Sequence, residues 1–139
     1  AWYEEAHERG FDEWILLNEH RQVSECTSAN IFAVRDGKLM TPPLKSSGCL
    51  AGITRALLLE EIKIPDYAAV ECDLMPADLE ASSQVFITST TRDLLPVLEI
   101  DGRTMPQDHE VIARLRQAFQ SYRDQYVSAH VRPKEVLAR

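Results

Sequence analysis

Two Asp-Gly pairs, Asp36-Gly37 and Asp101-Gly102, each follow a run of apolar and β-branched residues. That pattern is the strongest short-range signal for a tight β-hairpin, because such a turn needs positive φ at both central positions. Asn30-Ile31-Phe32-Ala33-Val34 leads into the first pair and Lys38-Leu39-Met40-Thr41 leaves it, so both read as strands. Pro42 and Pro43 end the second strand, since neither has an N–H to give to a ladder. Hairpins at both ends of the chain, with helical segments between them, predict a mixed α/β (α+β) domain and exclude a regular doubly wound sheet.

The remaining segments fill in that frame. Trp2 to Arg9 reads as the end of a helix with Gly10 at its C′ position. Trp14-Ile15-Leu16-Leu17 suits a buried strand, Glu19-His20-Arg21 a polar turn, and Gln22 to Glu25 the returning strand. Leu44 to Ala51 is a Ser/Gly loop, followed by a helix from about Gly52 through Ile62. Ala69 to Leu74 alternates as a strand, Pro76 to Glu80 starts a short helix, and Val85 to Thr88 is β-branched and aromatic. Leu94 to Ile100 is expected to be one strand, with Pro96 at a bulge or an edge. A long amphipathic helix is expected from about Glu110 to Ala129, with Val111, Leu115, Ala118, Phe119 and Tyr122 on one face. The charged tail from Val131 to Arg139 is expected to fray.

Composition narrows function by exclusion. The 139 residues suit one domain, and 45% apolar with 27% charged residues is a globular balance. With 15 basic against 22 acidic residues the net charge is −7, so the electrostatic footprint of a nucleic-acid partner is missing. No apolar run approaches the roughly 20 residues that span a bilayer. Trp2, Tyr3, Glu4 and Glu5 carry no signal-peptide pattern. Cys26, Cys49 and Cys72 form no CxxC pair, and His7, His20, His109 and His130 show no metal-ligand spacing. Reduced thiols, a cytoplasmic setting and no metal are the expectations.

Three places could carry chemistry. Gly52-Ile53-Thr54 opens a helix after the Ser/Gly loop, and a helix N-terminus offers unpaired N–H groups and partial positive charge to an anion. Read alone, it is equally an ordinary capped helix, because no Gly-Lys-Ser/Thr follows. Thr88-Ser89-Thr90-Thr91 places four hydroxyls at a strand end, which would serve an anion or a solvated turn. Glu25 lies in Val23-Ser24-Glu25-Cys26-Thr27-Ser28-Ala29-Asn30; if it points inward it needs a cationic partner such as a protonated ring nitrogen.

Taken in order, these segments resemble one family. Gly10-Phe11-Asp12-Glu13-Trp14-Ile15-Leu16-Leu17-Asn18 leads to Ser24-Glu25-Cys26-Thr27-Ser28-Ala29-Asn30-Ile31-Phe32. Asp36-Gly37, Thr41-Pro42-Pro43, Leu50-Ala51-Gly52-Ile53-Thr54-Arg55, Thr88-Ser89-Thr90-Thr91 and Pro96-Val97 follow. The pattern, over about residues 1 to 120, resembles the class IV pyridoxal-phosphate aminotransferases. That family includes branched-chain and D-amino-acid aminotransferases and aminodeoxychorismate lyases. The resemblance implies a barrel-like β domain with flanking helices, residues 1–130 being the C-terminal cofactor-binding domain of a fold-type IV enzyme. It implies pyridoxal 5'-phosphate as cofactor, an amino acid and a 2-oxo acid as substrates, and a homodimer. It assigns Glu25 to the ring nitrogen, Leu50 to the ring face, and Gly52, Ile53, Thr54, Ser89 and Thr90 to the phosphate. Thr91 matches a position that meets the substrate carboxylate. The family's Schiff-base lysine and small N-terminal domain match nothing here, which implies a part of a larger enzyme. Transamination is expected; a lyase or a non-catalytic dimerisation fragment are the alternatives.

Overall fold

A computed structural model describes residues 15–26, 29–44, 52–89 and 93–130. The expected first helix, the charged tail and the site candidates Leu50, Thr90 and Thr91 lie outside the described residues. In chain order the strands are β1 (Ile15–Leu17), β2 (Val23–Cys26), β3 (Asn30–Arg35), β4 (Lys38–Thr41), β5 (Ala68–Glu71) and β6 (Gln84–Ser89). They continue with β7 (Asp93–Pro96), β8 (Glu99–Ile100) and β9 (Arg103–Thr104). The helices are α1 (Ile53–Glu60), between β4 and β5, α2 (Pro76–Glu80), between β5 and β6, and α3 (His109–His130) after β9.

Both Asp-Gly hairpins form as the turn chemistry requires. Asp36 and Gly37 have φ of 50° and 74°, and Asp101 and Gly102 have 50° and 78°. Asp tolerates the left-handed region and Gly adopts it without a steric cost, which gives the twist that suits antiparallel strands. The first turn joins β3 to β4, and the second joins β8 to β9.

β3 and β6 pair antiparallel at the centre of a five-stranded sheet of order β5-β4-β3-β6-β7. Their side chains alternate between two apolar layers, so the sequence of β3 is a nearly continuous hydrophobic run. Phe32, Val34 and Phe86 join Leu58 and Ile62 from the α1 segment and Val111, Leu115 and Phe119 of α3. Ile31, Ala33, Val85 and Ile87 face Val23, Leu74, Leu79 and Met105 on the other side. Phe32 and Phe86 are register partners, fully buried, with ring centroids 5.1 Å apart and planes 2° from parallel. Burying each ring contributes about 1.5–3 kcal/mol. The helix face expected from Val111, Leu115, Ala118, Phe119 and Tyr122 is the one that packs on this layer. Asp108 accepts from the Val111 N–H and starts α3, and the buried Gln84 side chain holds the Asp108 N–H at 2.7 Å.

Two expected strands are redrawn. Leu94 to Ile100 divides into β7 on the sheet edge and β8 in a separate hairpin. Pro96 sits opposite Phe86 in the last pair of β7, where an edge position tolerates its missing N–H. The strand expected over Ala69 to Leu74 ends at Glu71, because its parallel partner β4 ends at Thr41 before Pro42-Pro43. Among the described residues the main sheet is open, with β5 and β7 as its edges, and no barrel closure is seen.

Candidate functional site

Antiparallel pairing brings the start of β3 beside the end of β6, with Asn30 opposite Thr88. β2 reaches the same end, because Cys26 and Ala29 bridge across the short connection to β3. Helix α1 begins there too, since the Thr54 hydroxyl donates to the Ser89 carbonyl at 3.3 Å. The Glu25, Gly52–Thr54 and Ser89 segments, distant in sequence, thus gather at one end of the sheet.

Glu25 is a half-buried residue of β2, opposite Leu16 of β1, and its neighbours Ser24 and Cys26 are buried. Gly52 is the N-cap of α1, with φ −72° and ψ 147°, and supplies no side-chain cap. The first turn carries no acidic residue. The first intrahelical bond runs from the Ala56 N–H to the Gly52 carbonyl at 3.1 Å. The N–H groups of Ile53, Thr54 and Arg55 precede that bond, which is the arrangement that attracts an anion.

What sets Gly52 apart is space, because its φ is one that any residue adopts. A Cβ built on it would lie 2.1 Å from the Asn30 Oδ1. Asn30 is buried, and so is Thr88, whose Oγ1 has no hydrogen-bond partner. Thr54 and Leu58, one turn apart, turn the inner face of α1 to the sheet, while Ile53 is 67% exposed. The Thr54 proton is engaged by Ser89, so its backbone N–H is the free-standing donor it can offer to an anion.

Arg55 ties the same turn to the far side of the sheet. Its Nη2 donates to the Pro42 carbonyl at 2.9 Å and pairs with Glu71 at 2.5 Å. The side chain is only 4% exposed, so this is a buried guanidinium fixing α1 to the ends of β4 and β5. Arg55 and Asn30 are the residues that sequence reasoning did not single out for the site. A polar residue at the head of an apolar strand run was the available signal for Asn30.

The surroundings of Cys26 and Cys72 disfavour a thiolate nucleophile. Cys26 is buried in the core. Burial pushes the Cys72 thiol up, and Asp78 and Asp73 push it the same way against Lys38. Among the described residues no cluster of His, Cys, Asp and Glu could hold a metal ion, and no helix is long and apolar enough to cross a membrane.

Residues 1–100 match the model of the amino-transferase class IV family. Over 124 residues, 88% of this chain, the sequence is 37% identical to a Methanocaldococcus jannaschii protein provisionally named a branched-chain-amino-acid aminotransferase. The fold superposes on the branched-chain amino acid aminotransferase of Escherichia coli with a TM-score of 0.78 at 32% identity, covering 85% of this chain and 40% of that one. The branched-chain aminotransferase of Thermoproteus uzoniensis, solved with norvaline, gives 0.79 at 32% identity over 91% and 43%. The chain spans 36–43% of the length of such curated relatives.

Proposed function

This chain belongs to the class IV aminotransferase family, and we propose that it is the C-terminal, cofactor-binding domain of an enzyme that transaminates branched-chain amino acids. The observation that carries the proposal is the cradle at Gly52. An uncapped helix start without acidic residues is pressed so closely on Asn30 that a Cβ at position 52 would displace the Asn30 amide. Such a turn lets a phosphate approach backbone N–H groups that a side chain would shield.

The residues present fit pyridoxal 5'-phosphate. When bound, that group would supply a protonated pyridine ring able to take up the electron pair left when the substrate loses its Cα proton. Gly52, Ile53 and Thr54 would hold the phosphate through the first turn of α1, with Ser89 and Thr90 on its second side. Glu25 would keep the proton on the ring nitrogen, which sustains the ring's electron demand. Leu50 would pack on the ring, and Thr91 would meet the substrate carboxylate. A second copy of the enzyme and a cytoplasmic setting complete the reading, the latter in keeping with the thiols of Cys26 and Cys72.

The test is amino-group transfer by the full-length protein. With L-leucine and 2-oxoglutarate it should form glutamate and show cofactor absorbance near the visible edge. Pyruvate release from aminodeoxychorismate without amino-group transfer would contradict the proposal and assign a lyase.

A further inference from the structure

We infer that Asn30 is a positioning residue that sets where the phosphate-binding turn of α1 stands on the sheet; the inference rests on the proposed cofactor reading. Asn30 heads β3 and shares a strand face with Phe32 and Val34, which belong to the apolar layer under α1 and α3. The Asn30 amide is only 6% exposed there. What it does at that place is visible from the other side. Its Oδ1 lies 2.1 Å from where the Cβ of any other residue at position 52 would go. The entry to α1 is therefore seated directly on the Asn30 amide.

A second contact holds the next residue, since the Thr54 hydroxyl reaches the Ser89 carbonyl of β6. The first turn is thus registered on both central strands, on β3 through Asn30 and on β6 through Ser89. Thr88, the register partner of Asn30, carries the buried Oγ1 without a hydrogen-bond partner. Polar groups are concentrated at this end of the central strand pair, beneath the first-turn N–H groups of α1. Removing the Asn30 side chain leaves a gap under Gly52, and the turn gains freedom to shift. Phosphate binding then weakens, because its N–H donors must be held in place to be worth more than water.

The experiment compares pyridoxal phosphate with pyridoxal, which lacks the phosphate, by titrating the full-length apoprotein and following protein fluorescence and cofactor absorbance. Asn30→Ala should weaken the phosphorylated ligand about tenfold, or 1.4 kcal/mol, and leave pyridoxal nearly unchanged. Gly52→Ala should give the same selective loss, because its Cβ meets Oδ1. In the double variant the obstructing oxygen is gone, so the loss should be smaller than the product of the two single losses. Equal weakening of both ligands, unchanged affinity, or a double loss equal to that product would overturn the inference. If Asn30→Ala does not fold, the selectivity of Gly52→Ala alone decides. A wild-type protein that binds both ligands equally would instead overturn the phosphate reading itself, and the inference with it.

Discussion

Glu25 and Cys72 show how differently one strand-end residue and another can be used. If Glu25 holds the ring proton, Glu25→Gln should lower kcat by about a hundredfold or more, each factor of ten being about 1.4 kcal/mol of barrier. Cofactor affinity should hardly move, because the phosphate turn is untouched; steady-state rates and a cofactor titration check both. Near-normal kcat would leave Glu25 an ordinary strand-end charge. Cys72 is a structural thiol, raised by burial and by Asp78 and Asp73. Its neutral form is favoured in the fold, so the stability it contributes is present below the ordinary thiol pKa. That contribution is lost as pH rises from there toward the folded value. Urea melts from pH 7 to pH 10 should show the loss, and Cys72→Ser should flatten it. Gly52, Ile53 and Thr54 were legible in the sequence because a glycine and a hydroxyl after a Ser/Gly loop announce a helix start. Asn30 was not, because its contact with Gly52 exists only once β3 and α1 have packed.

At the scale of elements, the anchoring of α1 is the feature with the clearest energetic consequence. Arg55→Ala removes a buried charged donor from the Pro42 carbonyl and should cost about 1.5–3 kcal/mol. The Glu71 partner is 44% exposed and adds little. In α3, Leu115→Ala opens the fully buried apolar layer and should cost about 2–5 kcal/mol. Arg116→Ala, on the exposed outer face of the same helix, should change stability by less than about 0.5 kcal/mol. Denaturant melts of the variants separate these outcomes. The hairpins at Asp36-Gly37 and Asp101-Gly102 and the face of α3 were readable because turn chemistry and helical period are local. The ends of β5 and β7 were not. Glu71 ends a strand because its neighbour β4 ends, and Leu94 to Ile100 divides because one half joins the sheet edge and the other pairs with Arg103–Thr104.

At the scale of the whole molecule, the five-stranded sheet, the separate β1–β2 pair and α1 bring four separate segments to one end. β2 brings Glu25, β3 brings Asn30, β6 brings Thr88 and Ser89, and α1 begins over them. The family match and the fold agree with that construction, and the chain accounts for about two fifths of the length of its relatives. On the proposed reading, the residues gathered here would supply the phosphate turn and the ring acid, and the remainder of the enzyme the lysine and the rest of the substrate pocket. A crystal structure of the full-length protein with pyridoxal phosphate tests this most directly. The phosphate should accept hydrogen bonds of about 2.7–3.2 Å from the N–H groups of Ile53 and Thr54, with the Glu25 carboxylate bonded to the ring nitrogen. A phosphate seated away from the start of α1, or a ring nitrogen with no contact to Glu25, would contradict the account.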